Sequence, residues 1–453
     1  MKLLGCCVFV GAVLWQSATP QTAVLFEGAR LIIGDGHVVE DGAFVIQGGR
    51  ISAVGMKGTI PLPSRVARVD LTGKTVMPAM VNVHVHIGYE GYTSWGAQNY
   101  TPKNVLDHLQ REAFYGVGAT ESVGSSPTEQ AIQFQKDQQA GKFPPSARFF
   151  FMPGMAPPNG GPDAILIKGT TALHAVHEVS TAQQARAAVK RMADQKIKSV
   201  KIWVDDRRGT YPKMTPEVYN AIIDEAHKHR MLVHAHAIAQ ADQKSVLRAG
   251  ADVLVHIVGN EKVDDELLTL VRQKKPYWTP QFGLGDLSEV CNHDAFIDQT
   301  YADKVVENIR SEQTPHFGPS CAASPANAVA RDEILANNLT KMVAAGARLV
   351  LGTDAGIDPR YSFGWSVHHE MARWVQFGLT PSEALMAATQ RSAELLGIND
   401  MGTLAVGKSA DFIVLDGNPL EDIRNTRRIS SVYLRGTPLD RTALLAAWKS
   451  SRN

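Results

Sequence analysis

The chain has 453 residues, long for one compact unit, although a single α/β barrel can absorb about 250 or more. Hydrophobic residues make up 44% and charged residues 20%, with 38 Gly and 23 Pro spread along the sequence, which excludes a disordered, collagenous or coiled-coil protein. Lys+Arg 46 against Asp+Glu 45 gives a formal charge of +1, so no basic surface calls for nucleic acid and no acidic tail calls for a basic partner.

Met1-Lys2 precedes the apolar run Leu3 to Trp15, then the small and polar Gln16-Ser17-Ala18. The run falls short of the about 20 residues that a membrane-spanning helix needs. One positive charge, a short apolar core and a small-residue exit read as a signal peptide over residues 1–20, cleaved near Ala18. A secreted or periplasmic protein follows, with no membrane association once the segment is gone. Removal takes Cys6 and Cys7, leaving Cys291 and Cys321 either paired or as free buried thiols.

From Ala23 to about Met77 the chain reads as short strands and tight turns: Ala29-Ile33, Ala43-Ile46 and Ile51-Val54, separated by Gly and Asp. The texture returns in Gly402-Leu404, Asp411-Leu415 and Ile429-Leu434. Residues 23–77 and 400–445 are therefore expected to build one small β-sandwich domain from both chain ends. Residues 78–399 alternate β-branched runs with helical stretches. Ala147-Met152, Val200-Val204, Met231-Ala235, Val253-His256 and Arg348-Gly352 read as strands. Thr215-Pro216-Glu217 opens a helix to Arg230, and Thr380-Pro381-Ser382-Glu383 is a capping box ahead of Ala384-Leu396. Strand–helix repetition of this length predicts an α/β fold, either a parallel barrel or a doubly wound sheet.

Several strand candidates end in metal-type ligands. In Val83-His84-Val85-His86, residues i and i+2 of an extended strand face one side, so two imidazoles can converge on one ion. A His-x-His pair alone arises readily by chance. Here, however, His236 follows Met231-Leu232-Val233, His256 follows Leu254-Val255, and Asp354 follows Leu349-Val350-Leu351-Gly352-Thr353. All lie at the carboxyl ends of strands, where a parallel barrel keeps its active site. Four imidazoles and a carboxylate can hold one or two divalent ions; they suit Zn2+ and, less selectively, Fe, Co, Ni or Mn.

The set resembles the amidohydrolase superfamily, in particular its imidazolonepropionase-like branch with Xaa-Pro dipeptidase-like members. The likeness runs from about Ala23 to Leu439 and includes Gly73-Lys74-Thr75-Val76-Met77-Pro78, Val233-His234-Ala235-His236-Ala237, Leu351-Gly352-Thr353-Asp354-Ala355-Gly356 and Gly402-Thr403-Leu404. It implies a (β/α)8 TIM-like barrel with the small β-sandwich domain at its side. It also implies that His84 and His86 bind a first metal, that His236 and His256 bind a second, and that Asp354 binds the first while handling protons. Lys201, in Ser199-Val200-Lys201-Ile202-Trp203, matches the lysine whose carbamate bridges both ions in binuclear members. A lysine inside an apolar strand is costly unless its charge is removed or paired, and carboxylation by CO2 removes it.

His234 shares a face with His236 and is expected deeper, behind the ligands. Lys168, His174 and His177 fall in the loop after the third strand and are candidate substrate contacts. The chain departs from the family pattern at Asn82, usually Asp, and at Ile238, where the dipeptidases often carry an aromatic hydroxyl. The resemblance implies hydrolysis of an amide, peptide or cyclic amide bond by a metal-bridging hydroxide, in a dipeptidase or a carboxypeptidase-like N-acyl amino acid hydrolase. An esterase, lactonase or phosphotriesterase at the same centre is the alternative; a mononuclear deaminase lacks the lysine, and a non-catalytic scaffold loses ligands. The expected partners are a small-molecule or short-peptide substrate, with homo-oligomerisation left open.

Overall fold

The computed structural model describes residues 23–91, 96–161, 173–283, 328–357 and 362–450. The signal-like segment, Lys168, Cys291 and Cys321 lie outside these residues.

The amino-terminal strands are β1 (Ala23–Ile32), β2 (Val38–Gln47), β3 (Arg50–Met56), β4 (Val66–Asp70) and β5 (Thr75–Pro78). Ten strands follow: β6 (Met80–Val85), β7 (Val117–Val123), β8 (Arg148–Met152), β9 (Gly154–Ala156), β10 (Val176–Glu178), β11 (Ser199–Trp203), β12 (Leu232–His236), β13 (Val253–Val255), β14 (Tyr277–Thr279) and β15 (Arg348–Leu349). The last are β16 (Phe412–Leu415), β17 (Ile429–Leu434) and β18 (Thr437–Pro438).

Both chain ends enter one eight-stranded sheet in the order β18-β17-β16-β5-β1-β2-β3, with β4 also pairing β1. The expected sandwich thus takes the form of a single branched sheet. Aromatic side chains weld the two ends: Phe26 stacks on Phe44 at 5.0 Å, Phe412 stacks on Tyr433 at 4.5 Å, and Phe44 meets Phe412 edge-on at 5.1 Å. Gly402-Leu404, expected as a strand, is not one; the Leu404 amide donates to the Ile33 carbonyl just past β1 at 2.9 Å, and Leu404 packs with Phe26, Phe44 and Phe412.

The central strands pair in parallel as β6-β7-β8 and as β10-β9-β11-β12-β13-β14-β15. Pro153 links β8 to β9, and its carbonyl accepts from the Lys201 amide at 3.0 Å. At the far edge the Val83 amide donates to Leu351 and the His86 amide to Ala355, both at 2.7 Å, so the chain after β15 bonds back to β6. Val81, Val83, Ala119, Val253, Val255 and Val350 form one apolar cluster with Ala393, Leu395 and Met401. The opposite strand faces, among them Val200, Ile202, Val233 and Leu254, pack against helices such as α1 (Pro102–Phe114), α2 (Thr128–Gln139), α3 (Ala182–Asp194) and α4 (Pro216–Lys228).

The predicted capping box at Thr380 and Glu383 is present. The helix it opens does not run evenly to Leu396, because Ala387–Arg391 widens into a π turn. Ser392 Oγ donates to the Ala387 carbonyl five residues back at 2.8 Å and accepts from the Leu351 amide at 2.9 Å. The widened turn brings a hydroxyl to the Leu351 amide, just past β15, and so gives that amide its partner. Among the described residues, no helix is long and apolar enough to cross a membrane.

Because Phe412 is fully buried where the ends of the chain meet, Phe412→Ala is expected to cost about 3–5 kcal/mol of unfolding free energy. Urea denaturation checks this by a fall in midpoint; an unchanged midpoint would show that the aromatic cluster does not hold the sheet.

Candidate metal centre

The parallel register of β11 and β12 sets Lys201 opposite His234 and Trp203 opposite His236, and β13 brings Val255 beside His236. His256 is the next residue, and it leaves the strand with φ 75; Asp354 does the same with φ 60. Left-handed backbone at a non-glycine residue costs about 1–3 kcal/mol and persists only where surroundings enforce it. Here the His256 amide is held by the Thr279 carbonyl at 2.9 Å, and the Asp354 amide by the His84 carbonyl at 2.9 Å. Both turns swing a ligand-type side chain into the mouth of the strands.

Two glycines flank Asp354 for steric reasons. A Cβ on Gly352 would lie 2.2 Å from Thr279 Oγ1 and 2.7 Å from His84 Cβ. At Gly356, with φ +91, it would lie 2.1 Å from the His86 carbonyl oxygen. The Gly-Thr-Asp-Ala-Gly run is therefore fixed by backbone contact with β6.

The side chains gather in two groups. His84, His86 and Asp354 are buried, with one ligand atom from each lying within 4.8 Å of the others. Asp354 Oδ1 faces His86 Nε2 at 2.8 Å and His84 Nε2 at 3.2 Å. In the second group, His256 Nε2 lies 2.8 Å from His236 Nδ1. The rings of His84 and His256 are 6.2 Å apart, and Lys201 Nζ sits 3.5 Å from His84 Nε2. Lys201 is 0% exposed, and the Trp203 ring covers its Nζ at 5.3 Å. Trp203 in turn lies against the bare backbone of Gly124, Gly154 and Gly161.

The electrostatics keep donor electrons available. Burial, and then the neighbouring Lys201 charge, push the His84 imidazole well below its ordinary range; burial followed by His236 does the same to His256. For Asp354, burial alone would raise the carboxyl, but hydrogen bonds from His84 and His86 outweigh it and hold it well below the usual carboxylate range. Neutral imidazoles and an ionised carboxylate are the forms that ligate a cation. The donor set fits divalent metal in nitrogen and oxygen coordination.

His234 sits one alternation deeper than His236, buried opposite Lys201, with Nδ1 lacking a hydrogen-bond partner. Burial and the Lys201 charge pull it down to about 3, so it stays neutral behind the ligands. His174 is exposed in a turn with φ 56. His177 lies beside Arg191, Glu129 and His174, while its neighbour Val176 packs on Trp203. Strand alternation sets the His177 ring on the face of β10 opposite Val176 and Trp203.

Asn82 finds a use that an aspartate would spoil. Its Nδ2 donates to Thr353 Oγ1 at 3.0 Å and faces Glu112 Oε1 at 3.4 Å. Burial lifts Glu112 to about 7 against hydrogen bonds from Gly364 and Asn82. A second carboxylate there would confront the first, whereas the amide can donate to it.

Two residues behind the ligands had no place in the sequence reading. Ser125 Oγ lies 3.0 Å from His86 Nδ1, and Asp205 Oδ2 lies 3.1 Å from His236 Nε2. Burial would raise Asp205, but the His236 contact and the Arg207 amide hold it down at about 2. Its signal was the spacing Lys201, Trp203, Asp205, which alternation places on one face.

The strands, their polar carboxyl ends and this ligand cluster define a metal-dependent hydrolase. The profile of the Amidohydrolase family matches residues 75–439, and the chain belongs to that family. Family homologues of this chain are hydrolases acting on carbon–nitrogen bonds, and so is this enzyme. The chain is 24% identical over 459 residues to imidazolonepropionase from Deinococcus radiodurans, covering 94% of this chain and 98% of the relative. Among solved structures it resembles a Xaa-Pro dipeptidase with bound methionine in the active site, with TM-score 0.71, 24% identity, and 92% of this chain and 100% of that one covered. Molinate hydrolase gives TM-score 0.74 at 22% identity, over 94% of this chain and 96% of that one. These neighbours imply a TIM-like barrel accompanied by a β domain.

Glu121 lies buried on β7, where burial raises it to about 8 against a 3.4 Å hydrogen bond from Ser199. A folded-state value above the unfolded one gives stability that is complete below the unfolded value and lost as pH rises through the folded one. Glu121→Gln removes that loss, so its melting temperature relative to the parent should climb between pH 5 and pH 9, about the limits of the window. A difference flat across that range would contradict the assignment.

Proposed function

We propose that the chain is a binuclear metal-dependent amidohydrolase that cleaves an amide, peptide or cyclic amide bond in a small molecule or short peptide. The observation that carries the reading is the position of Lys201: a buried amine flanked by the His84-His86-Asp354 group and facing the strand that supplies His236. In this reading His84, His86 and Asp354 would hold one ion, His236 and His256 would hold the other, and Lys201 as its carbamate would supply oxygen donors to the centre. That modification takes the ammonium through loss of one proton to the neutral amine, which joins CO2 and releases a second, leaving an anionic oxygen donor in place of a buried cation. Zinc suits these ligands best. The strand set is read in the same way, as a closed (β/α)8 barrel.

Divalent ions bound here supply a water whose pKa falls from 15.7 towards about 7 and a Lewis-acidic contact to the scissile carbonyl. The remaining work belongs to side chains. Asp354 keeps Oδ1 towards His84 and His86, leaving its second oxygen to take up the proton and return it to the departing amine. That return is what an amine leaving group needs, and it favours C–N cleavage over an ester, whose alkoxide leaves more readily. Trp203 shields Lys201 from water. Ile238, 45% exposed just past His236, offers an apolar surface where the dipeptidase relatives often carry an aromatic hydroxyl. This supports substrates with an apolar group near the scissile bond, such as N-acyl amino acids or dipeptides with apolar side chains. Export from the cytoplasm is proposed on the Met1–Ala18 pattern alone.

Released amine from N-acyl amino acids and dipeptides, assayed beside lactones and organophosphates, tests the reaction class. Amide turnover that chelation abolishes and zinc restores is expected; turnover of esters or phosphotriesters alone would overturn the reading. Asp354→Asn with both ions retained should lower kcat by roughly 10²–10⁴-fold. Parental kcat in that variant would remove Asp354 from proton transfer.

A further inference from the structure

Asp205 lies two residues past the end of β11, in a backbone fixed where the Val204 amide donates to the His236 carbonyl at 2.9 Å. Its two carboxylate oxygens have separate tasks. Oδ1 accepts from the Arg207 amide at 2.9 Å, and Oδ2 faces His236 Nε2 at 3.1 Å. Both side chains are largely enclosed, 9% exposed for Asp205 and 7% for His236. An ionised carboxylate only accepts, so the proton in this contact belongs to His236 Nε2. The other ring nitrogen, Nδ1, then carries the free lone pair, and it is the atom 2.8 Å from His256 Nε2.

We propose that Asp205 is the positioning residue of the His236–His256 half of the centre, fixing the His236 tautomer and ring plane and thereby setting the affinity of that half for a divalent cation. The proposal rests on the binuclear reading. The two halves are built unequally. His86 is oriented by the neutral hydroxyl of Ser125, at 3.0 Å from Nδ1, whereas His236 is oriented by an anion. A carboxylate behind an imidazole raises the basicity of the ligand, and loss of such a partner typically costs 10–100-fold in metal affinity. Asp205 is not placed as a ligand itself: Oδ2 faces the nitrogen pointing away from His256, so a cation between Asp205 and Nε2 would forgo the second imidazole.

The test uses the full chain stripped of metal and titrated with zinc against a chromophoric chelator, for wild type, Asp205→Ala and Asp205→Asn. Thermal melts of the apo proteins verify that each variant is folded. Wild type is expected to bind two ions. Asp205→Ala should bind one as wild type does and the other roughly 10–100-fold more weakly. Asp205→Asn, whose carbonyl still accepts from Nε2–H, should recover part of the loss. Raised zinc should restore turnover to both variants. Two ions in wild type with unchanged affinities in both variants overturn this inference alone. Asparagine as damaging as alanine would show that the retained hydrogen-bond acceptor contributes nothing, and would overturn the positioning role. Fewer than two ions in wild type overturn the binuclear reading, and this inference with it.

Discussion

The burial of Lys201 is the constraint on which the rest of the centre depends. A four-carbon amine with no exposed surface, 3.5 Å from one imidazole and opposite another, is a poor place for an ammonium. Protonating the surrounding rings would only add like charge, and burial together with Lys201 holds His84 and His234 in their neutral forms. Under the proposed function, a carbamate on Lys201 would put an anionic donor where the ammonium stands, complementary to cations held by the neighbouring imidazoles and Asp354.

The scaffold meets this need by local strain on a rigid frame. His256 and Asp354 adopt left-handed backbone at strand ends, and the Gly352 and Gly356 contacts leave no room for side chains beside them. Such strain is sustained by the parallel strands beneath, whose valines close the interior below the polar layer. The branched sheet joins the amino-terminal strands to β16 and β17 through Phe26, Phe44, Phe412 and Tyr433. That sheet also runs directly into the first ligand strand, since β5 ends at Pro78 and β6 begins at Met80.

Much of this was legible in the amino-acid order. The five strand segments expected between Ala147 and Gly352 lie within about two residues of observed strands at their starts, because β-branched runs bounded by turn residues leave little choice. The gathering of His84, His86 and Asp354 was legible because the two histidines alternate on one strand face and Asp354 directly follows an apolar run. Other features depended on three-dimensional context. The π turn at Ala387–Arg391 answers to the Leu351 amide far away in sequence. The branching of the terminal sheet depends on β1 accepting three partners. His177 alternates with Val176 on a three-residue strand, a parity that a loop-like sequence could not fix. Asp205 was overlooked because a lone aspartate after a strand resembles any turn residue until its facing histidine is known.

The account is tested most directly by anomalous diffraction at the zinc edge, from crystals grown with zinc and bicarbonate. Two peaks are predicted, one among His84, His86 and Asp354 and one between His236 Nδ1 and His256 Nε2, with continuous density extending from Lys201 Nζ towards both. A single peak, or a lysine side chain ending at Nζ, would contradict it.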